Sequence, residues 1–225
     1  MTSGGWPVRV HAAAATIAWC CALNAAWIAG TLLGGIVLGI GPATVTACIL
    51  SRRRMRGESI RLRDFVLTWR REVRRGSVVM LPVVGVAVLL LVDYAFFTTL
   101  GPGANAARLA TLVALVAVIG AGAYVGPMYA FYDIALRAYG VRAMRFALGR
   151  PASTIILLLV FTTLAFATAA MPVLLFTVSI GIWLQTSTWL GVRFFTENED
   201  RLVDEAQPGP RQPIQVLPSE PLRIR

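Results

Sequence analysis

Long stretches without charge dominate this chain. Residues 12–50 carry no Asp, Glu, Lys or Arg, and neither do residues 109–132 or 151–192; residues 76–107 carry one, Asp93. A membrane-crossing helix needs roughly 20 mainly apolar residues, and soluble domains rarely leave so many in a row uncharged. The two longest gaps are too long for one crossing and long enough for two. The other two gaps suit one each. The sequence therefore predicts an all-α, polytopic transmembrane bundle of about six spans, near 12–33, 36–51, 77–98, 109–130, 151–170 and 172–192. In the alternative, residues 12–50 form one crossing plus a re-entrant piece, giving five spans and an outside N-terminus. The first gap is longer than a signal-peptide core and has no cleavage pattern after it, so it reads as a retained span.

The charges collect between the gaps. From Arg52 to Arg75 there are ten arginines against Glu58, Asp64 and Glu72. From Phe131 to Arg150 there are four arginines against Asp133. The connector after the third span holds only Arg108, and the turn near Met171 and Pro172 holds none. By the positive-inside rule both basic connectors face the cytoplasm, which places both termini inside a cell membrane. The same rule accounts for the net charge of +10, which in a soluble chain would suggest nucleic acid; no nucleic-acid partner is expected. Anionic lipids of the inner leaflet are the natural partners, and Arg52, Arg53, Arg54, Arg70, Arg71, Arg74 and Arg75 are the candidate lipid or partner contacts.

Gly41-Pro42 reads as a helix start, because a proline at the first helical position gives up an N–H that has no partner there. Residues 59–75 read as a basic amphipathic cytoplasmic helix. Leu62, Phe65, Val66, Trp69 and Val73 fall on one face, Ser59 is the expected N-cap, and such a helix lies in an interface or packs on the bundle's end. A weaker basic segment, 135–150, precedes the fifth span, which raises internal duplication. The Gly30/Gly34, Gly35/Gly39 and Gly122/Gly126 spacings read as close helix packing. Residues 196–225, rich in proline and mixed charge, read as a largely disordered cytoplasmic tail, helical at most in its first turns.

Polar groups within spans are functional candidates by default. Asn24, Asp93 and Gln185 are the possible intramembrane sites, with Thr186, Ser187 and Thr188 beside the last. The plainer uses are hydrogen bonds between helices for Asn24 and Gln185, and an interfacial position or an Arg108 partner for Asp93. Asp133 is placed to pair with Arg137. The three cysteines and single histidine have no metal-binding spacing, and no phosphate-loop, nucleophile-elbow or zinc-protease motif occurs. No catalytic residue, metal or cofactor is expected.

Leu23-Asn24-x-x-Trp27, Gly39-Ile40-Gly41-Pro42-Ala43-Thr44, Arg56-Gly57-Glu58, Asp64-Phe65, Trp69-Arg70-Arg71, Pro127 ahead of Asp133, and Ala147-Leu148 ahead of Pro151 occur in this order. In these pieces, over about residues 15–197, the chain resembles the YesL family of bacterial integral membrane proteins, a domain of unknown function. It departs from the family's pattern with Glu72 where an asparagine is usual, and with Gly34 and Gly35 where a proline is usual. The resemblance implies a non-enzymatic accessory or regulatory role beside carbohydrate ABC-type permease subunits, and it brings no catalytic residues. A small-solute transporter or channel is the alternative reading.

Overall fold

A computed structural model of the chain describes residues 6–206. Among the described residues there are seven α-helices and no strand: α1 Trp6–Leu33, α2 Val37–Met55, α3 Leu62–Thr99, α4 Asn105–Phe131, α5 Ala138–Gly149, α6 Pro151–Ala170 and α7 Ile180–Ala206. A 3-10 turn, Pro102–Ala104, leads into α4, and a π-helical turn, Leu175–Ser179, leads into α7. Five segments are long and apolar enough to cross a membrane: Val8–Leu33, Leu62–Thr99, Pro102–Phe131, Pro151–Ala170 and Leu175–Arg201. The all-helical membrane architecture expected from the charge gaps is the one found.

The sixth expected span, 36–51, corresponds to α2, which differs from the other five. It ends on Arg52, Arg53 and Arg54, and its stretch before them is only about 22 Å long at 1.5 Å per residue. Its side chains are enclosed by neighbours: Ala43, Val45, Thr46, Ala47, Cys48 and Ser51 have no exposed surface. Beyond the exposed Val37 and Leu38, this short helix is shielded by α1, α3, α4 and α7.

α2 does not begin at Pro42. It begins at Val37, and Pro42 sits inside the helix. An interior proline has no N–H for the carbonyl four residues back and normally costs about 3 kcal/mol. That carbonyl belongs to Leu38, and the Ser77 hydroxyl of α3 reaches it, its single proton shared between Leu38 O at 3.0 Å and Val73 O of its own helix at 2.6 Å. The glycines at the same crossing explain how α3 comes so close. A Cβ on Gly41 would stand 2.7 Å from Gly76 O, and one on Gly76 would stand 2.9 Å from Pro42 Cα.

The expected separation of an amphipathic helix, 59–75, from a third span, 77–98, is corrected by α3. It is one helix of 38 residues that runs through Gly76 without a break. Its length, roughly 57 Å at 1.5 Å per residue, is about twice the hydrocarbon thickness. Ser59 is not the cap. The helix starts after Arg61, whose N–H donates to Asp64 Oδ2 at 2.8 Å. The basic half does not lie flat on a surface either. Phe65 is buried, and it and Trp69 cover Gly30 of α1, where a Cβ would meet both rings at 3.1–3.2 Å. The apolar face foreseen for it is thus split, with Phe65 turned to the bundle and Leu62 and Val66 exposed.

Gly122 faces Val83 of α3, and Gly126 faces Cys48 of α2, so the α4 glycines serve packing within the chain. α5 covers residues of the second basic segment, but Arg150-Pro151 breaks it from α6. The last helix overruns the expected end of the sixth span. It continues to Ala206, and Phe195, fully buried, joins an aromatic cluster with Tyr124, Phe131, Tyr132 and Phe146. The first part of the expected tail is therefore helical. Residues 207–225 lie outside the described residues, as do residues 1–5.

Candidate functional site

The polar residues foreseen within the spans hold helices together. Asn24 has no exposed surface. Its Nδ2 donates to Phe176 O at 2.9 Å and lies 3.2 Å from Leu175 O, and its Oδ1 accepts from Gly181 N–H at 3.0 Å. A π-helical turn disturbs the regular backbone ladder, and Asn24 answers that disturbance from the neighbouring helix with one amide. Gln185 Oε1 accepts from Trp19 Nε1 at 2.8 Å. Trp27 Nε1 donates to Thr44 Oγ1 at 3.0 Å, so these two tryptophans act as interior hydrogen-bonding groups. Ser187 and Thr188 are buried and turn back onto Leu184 O. Asp93 is half-buried towards the end of α3 and takes part in no ion pair among the described residues. Arg108 lies over the Tyr94 ring at 6.0 Å and near Asn105 Oδ1, so the expected Asp93–Arg108 pair is not formed. Asp133 falls in the loop after α4 and does not pair with Arg137.

The candidate arginines divide into two groups. Arg52, Arg53 and Arg54 are engaged by the fold. Arg52 donates to Ala130 O and Phe131 O and lies 4.5 Å over the Phe131 ring. These are terminal carbonyls of α4 that no N–H of that helix can reach, and a cation is favoured at that end of a helix dipole. Arg53 Nε donates to Glu58 Oε2 at 2.6 Å, with Arg56 3.0 Å from the other oxygen. The Arg53 hydrogen bond holds the Glu58 carboxyl below the usual carboxylate range. Arg54 donates to Ala15 O at 3.1 Å and lies 4.8 Å over the Trp19 ring. Arg70, Arg71, Arg74 and Arg75 form the second group. All four are exposed on α3 and none enters an ion pair among the described residues. The acid among them, Glu72, instead accepts from Tyr129 Oη of α4, a partner its position in the sequence does not reveal.

This division gives a stability prediction. Arg52→Met strips the α4 terminus of its donor and should lower unfolding free energy in detergent by about 1–3 kcal/mol. Arg70→Gln with Arg71→Gln should stay within about 0.5 kcal/mol, because nothing in the fold depends on them. Thermal unfolding of the purified variants checks both.

Sequence reasoning missed a second basic feature. A groove of about 620 Å³ lies between the end of α4, α5 and the extension of α7, lined by Met128, Tyr132, Arg142, Arg145, Phe146 and Arg150, with Asn198, Glu199 and Arg201 opposite. Arg142 and Arg145 stand one turn apart on α5, a spacing readable from the sequence. Arg150 joins them at the end of α5, and Arg201 only because α7 runs on as a helix.

The region spanning the second half of α1, all of α2 and most of α3 carries a recognisable signature. Residues 20–94 match a protein family of unknown function. That family is DUF624. The DUF624 segment takes in Asn24, the Gly41–Gly76 crossing and the arginines of the first connector. The chain is also 30% identical over 145 residues to the uncharacterized protein YesV of Bacillus subtilis (strain 168), a match spanning 61% of this chain and 66% of that relative, just short of two thirds of its length. No solved structure matches. The DUF624 similarity and the apolar helices together describe an integral membrane protein whose activity neither comparison names.

Proposed function

We propose that the chain is a non-enzymatic accessory or regulatory component that works beside a carbohydrate ABC-type permease, as its YesL-like residues imply. The observation that carries this reading is the row Arg70, Arg71, Arg74 and Arg75, exposed and in no ion pair among the described residues. Four guanidinium groups on one rigid helix suit an acidic protein face or an anionic leaflet, each adding about 1 kcal/mol near such a surface. By the positive-inside rule this end of the bundle belongs on the cytoplasmic side of the cell membrane, and with α2 as a sixth crossing both termini share that side. The interior supports the accessory reading over a transporter. Asn24 and Gln185, the groups best placed to line a polar path, already spend hydrogen bonds on Gly181 and Trp19.

Affinity purification of the full chain in mild detergent tests the proposal. Permease subunits should co-purify with the native chain. A variant with all four of these arginines changed to glutamine should lose them while keeping its thermal stability. Recovery of the chain alone from cells that express the permease overturns the proposal. Solute flux into proteoliposomes holding only this chain would replace it with the transporter reading.

A further inference from the structure

The groove between α4, α5 and α7 has a chemistry of its own. Four arginines and one glutamate line it, beside an apolar floor of Met128 and Phe146. The one acid in the lining, Glu199, keeps its charge and accepts from Tyr132 Oη at 2.8 Å, so the lining carries four positive charges against one negative. Burial, with Glu199 beside it, pushes the Tyr132 hydroxyl up to about 12, so that proton stays in place at physiological pH. Arg142 and Arg145 are exposed and enter no ion pair among the described residues. Arg150 is the fixed member. Its side chain is 17% exposed and lies 3.9 Å from Glu197 Oε2, an exposed acid that also meets Arg193; the same nitrogen donates to Phe194 O at 3.2 Å, and the guanidinium stands 5.6 Å over the Phe146 ring, with its second NH2 group left for a ligand.

Guanidinium groups around a partly enclosed volume match a tetrahedral dianion better than a carboxylate. Arginine gives phosphate paired, charge-assisted hydrogen bonds, and the Met128–Phe146 floor accommodates an uncharged remainder. We propose that this groove is a binding site for a phosphomonoester, held by Arg142, Arg145 and Arg150. The phosphate belongs either to a lipid headgroup or to a soluble molecule. The site is independent of the α3 arginines and of any partner protein.

The experiment uses the full chain. In detergent, inorganic phosphate and glycerol phosphate are titrated while thermal unfolding is followed. In nanodiscs, phosphatidylcholine alone is compared with phosphatidylcholine containing phosphatidic acid. A saturable rise in unfolding temperature with the soluble phosphates identifies a soluble ligand. A rise seen only with phosphatidic acid identifies a lipid headgroup. In either case Arg142→Gln with Arg145→Gln should weaken the apparent affinity about tenfold or more, because each lost charged partner removes a strong hydrogen bond. Both side chains are exposed, so the variant's unfolding temperature without ligand should match the native one. Arg9→Gln with Arg108→Gln, an equal charge loss at residues that neither line the groove nor belong to the α3 row, should leave the response intact. No saturable response in either format overturns the proposal, as does an equal loss from the two double variants. Because no partner protein is present, failure here leaves the permease purification unaffected, and the converse also holds.

Discussion

Gly41→Val should abolish recovery of folded protein from detergent-solubilised membranes. The added Cβ would stand 2.7 Å from Gly76 O and 2.8 Å from Ser77 Cα, and both are backbone atoms of a neighbouring helix. Flexible side chains can turn away from an intruding group, whereas backbone moves only if the helices part. Overpacking a core typically costs 1–3 kcal/mol, and parting α2 from α3 adds to that. It would also withdraw Ser77 from Leu38 O, the carbonyl that Pro42 leaves without a partner. A total loss of about 4 kcal/mol or more follows, a large share of the 5–15 kcal/mol typical of a folded domain. Gly85→Ala, on the same long helix, is the control. No atom lies within 4 Å of its added Cβ, so higher helix propensity should leave stability unchanged or raise it by up to about 1 kcal/mol. Monodisperse yield by size-exclusion chromatography and thermal unfolding report both. A well-folded Gly41→Val protein would remove the close crossing from this account.

Asn24→Leu should have the second largest effect. The replacement is similar in size and keeps the interior apolar, but it leaves Gly181 N–H without the acceptor it has at 3.0 Å. It also removes the donor to Phe176 O. Losing one partner of a buried polar pair costs about 1–3 kcal/mol, and the penalty is larger where lipid excludes water. With two such bonds lost, about 3 kcal/mol or more is expected, read as a lower unfolding midpoint in mixed micelles. Asn24→Asp retains an acceptor for Gly181 and should fall between the native chain and the leucine variant. If all three midpoints coincide, Asn24 does not clamp the π-helical turn.

The bundle was legible because lipid imposes a single strong rule. A helix in hydrocarbon must be long and uncharged, and 109–130 and 151–170 announce that in composition alone. Features that depend on pairs of distant residues were hidden. Gly76, following Arg75, looks like a break between a basic helix and a span. Only Gly41 and Pro42 packed against it show why the helix continues there. Pro42 looks like a start because the sequence does not show that Ser77 covers the carbonyl behind it. The extension of α7 was obscured by the mixed charge that follows Thr196, yet Phe194 and Phe195 bind that stretch to α4 and α5. Asn24 and Gln185 form hydrogen bonds within the bundle, the plainer of the uses foreseen for them. Among the arginines, composition could not separate Arg52, which closes a helix terminus, from Arg70, which is exposed and enters no ion pair among the described residues.

The continuity of α3 has a mechanical consequence. Its charged foot and its apolar shaft meet without a break where Gly76 bears on Gly41. Phe65 and Trp69 seat the foot on α1, and Glu72 ties it to Tyr129 of α4. A load applied at Arg70 or Arg74 therefore passes into the bundle through these contacts instead of being spent in a hinge.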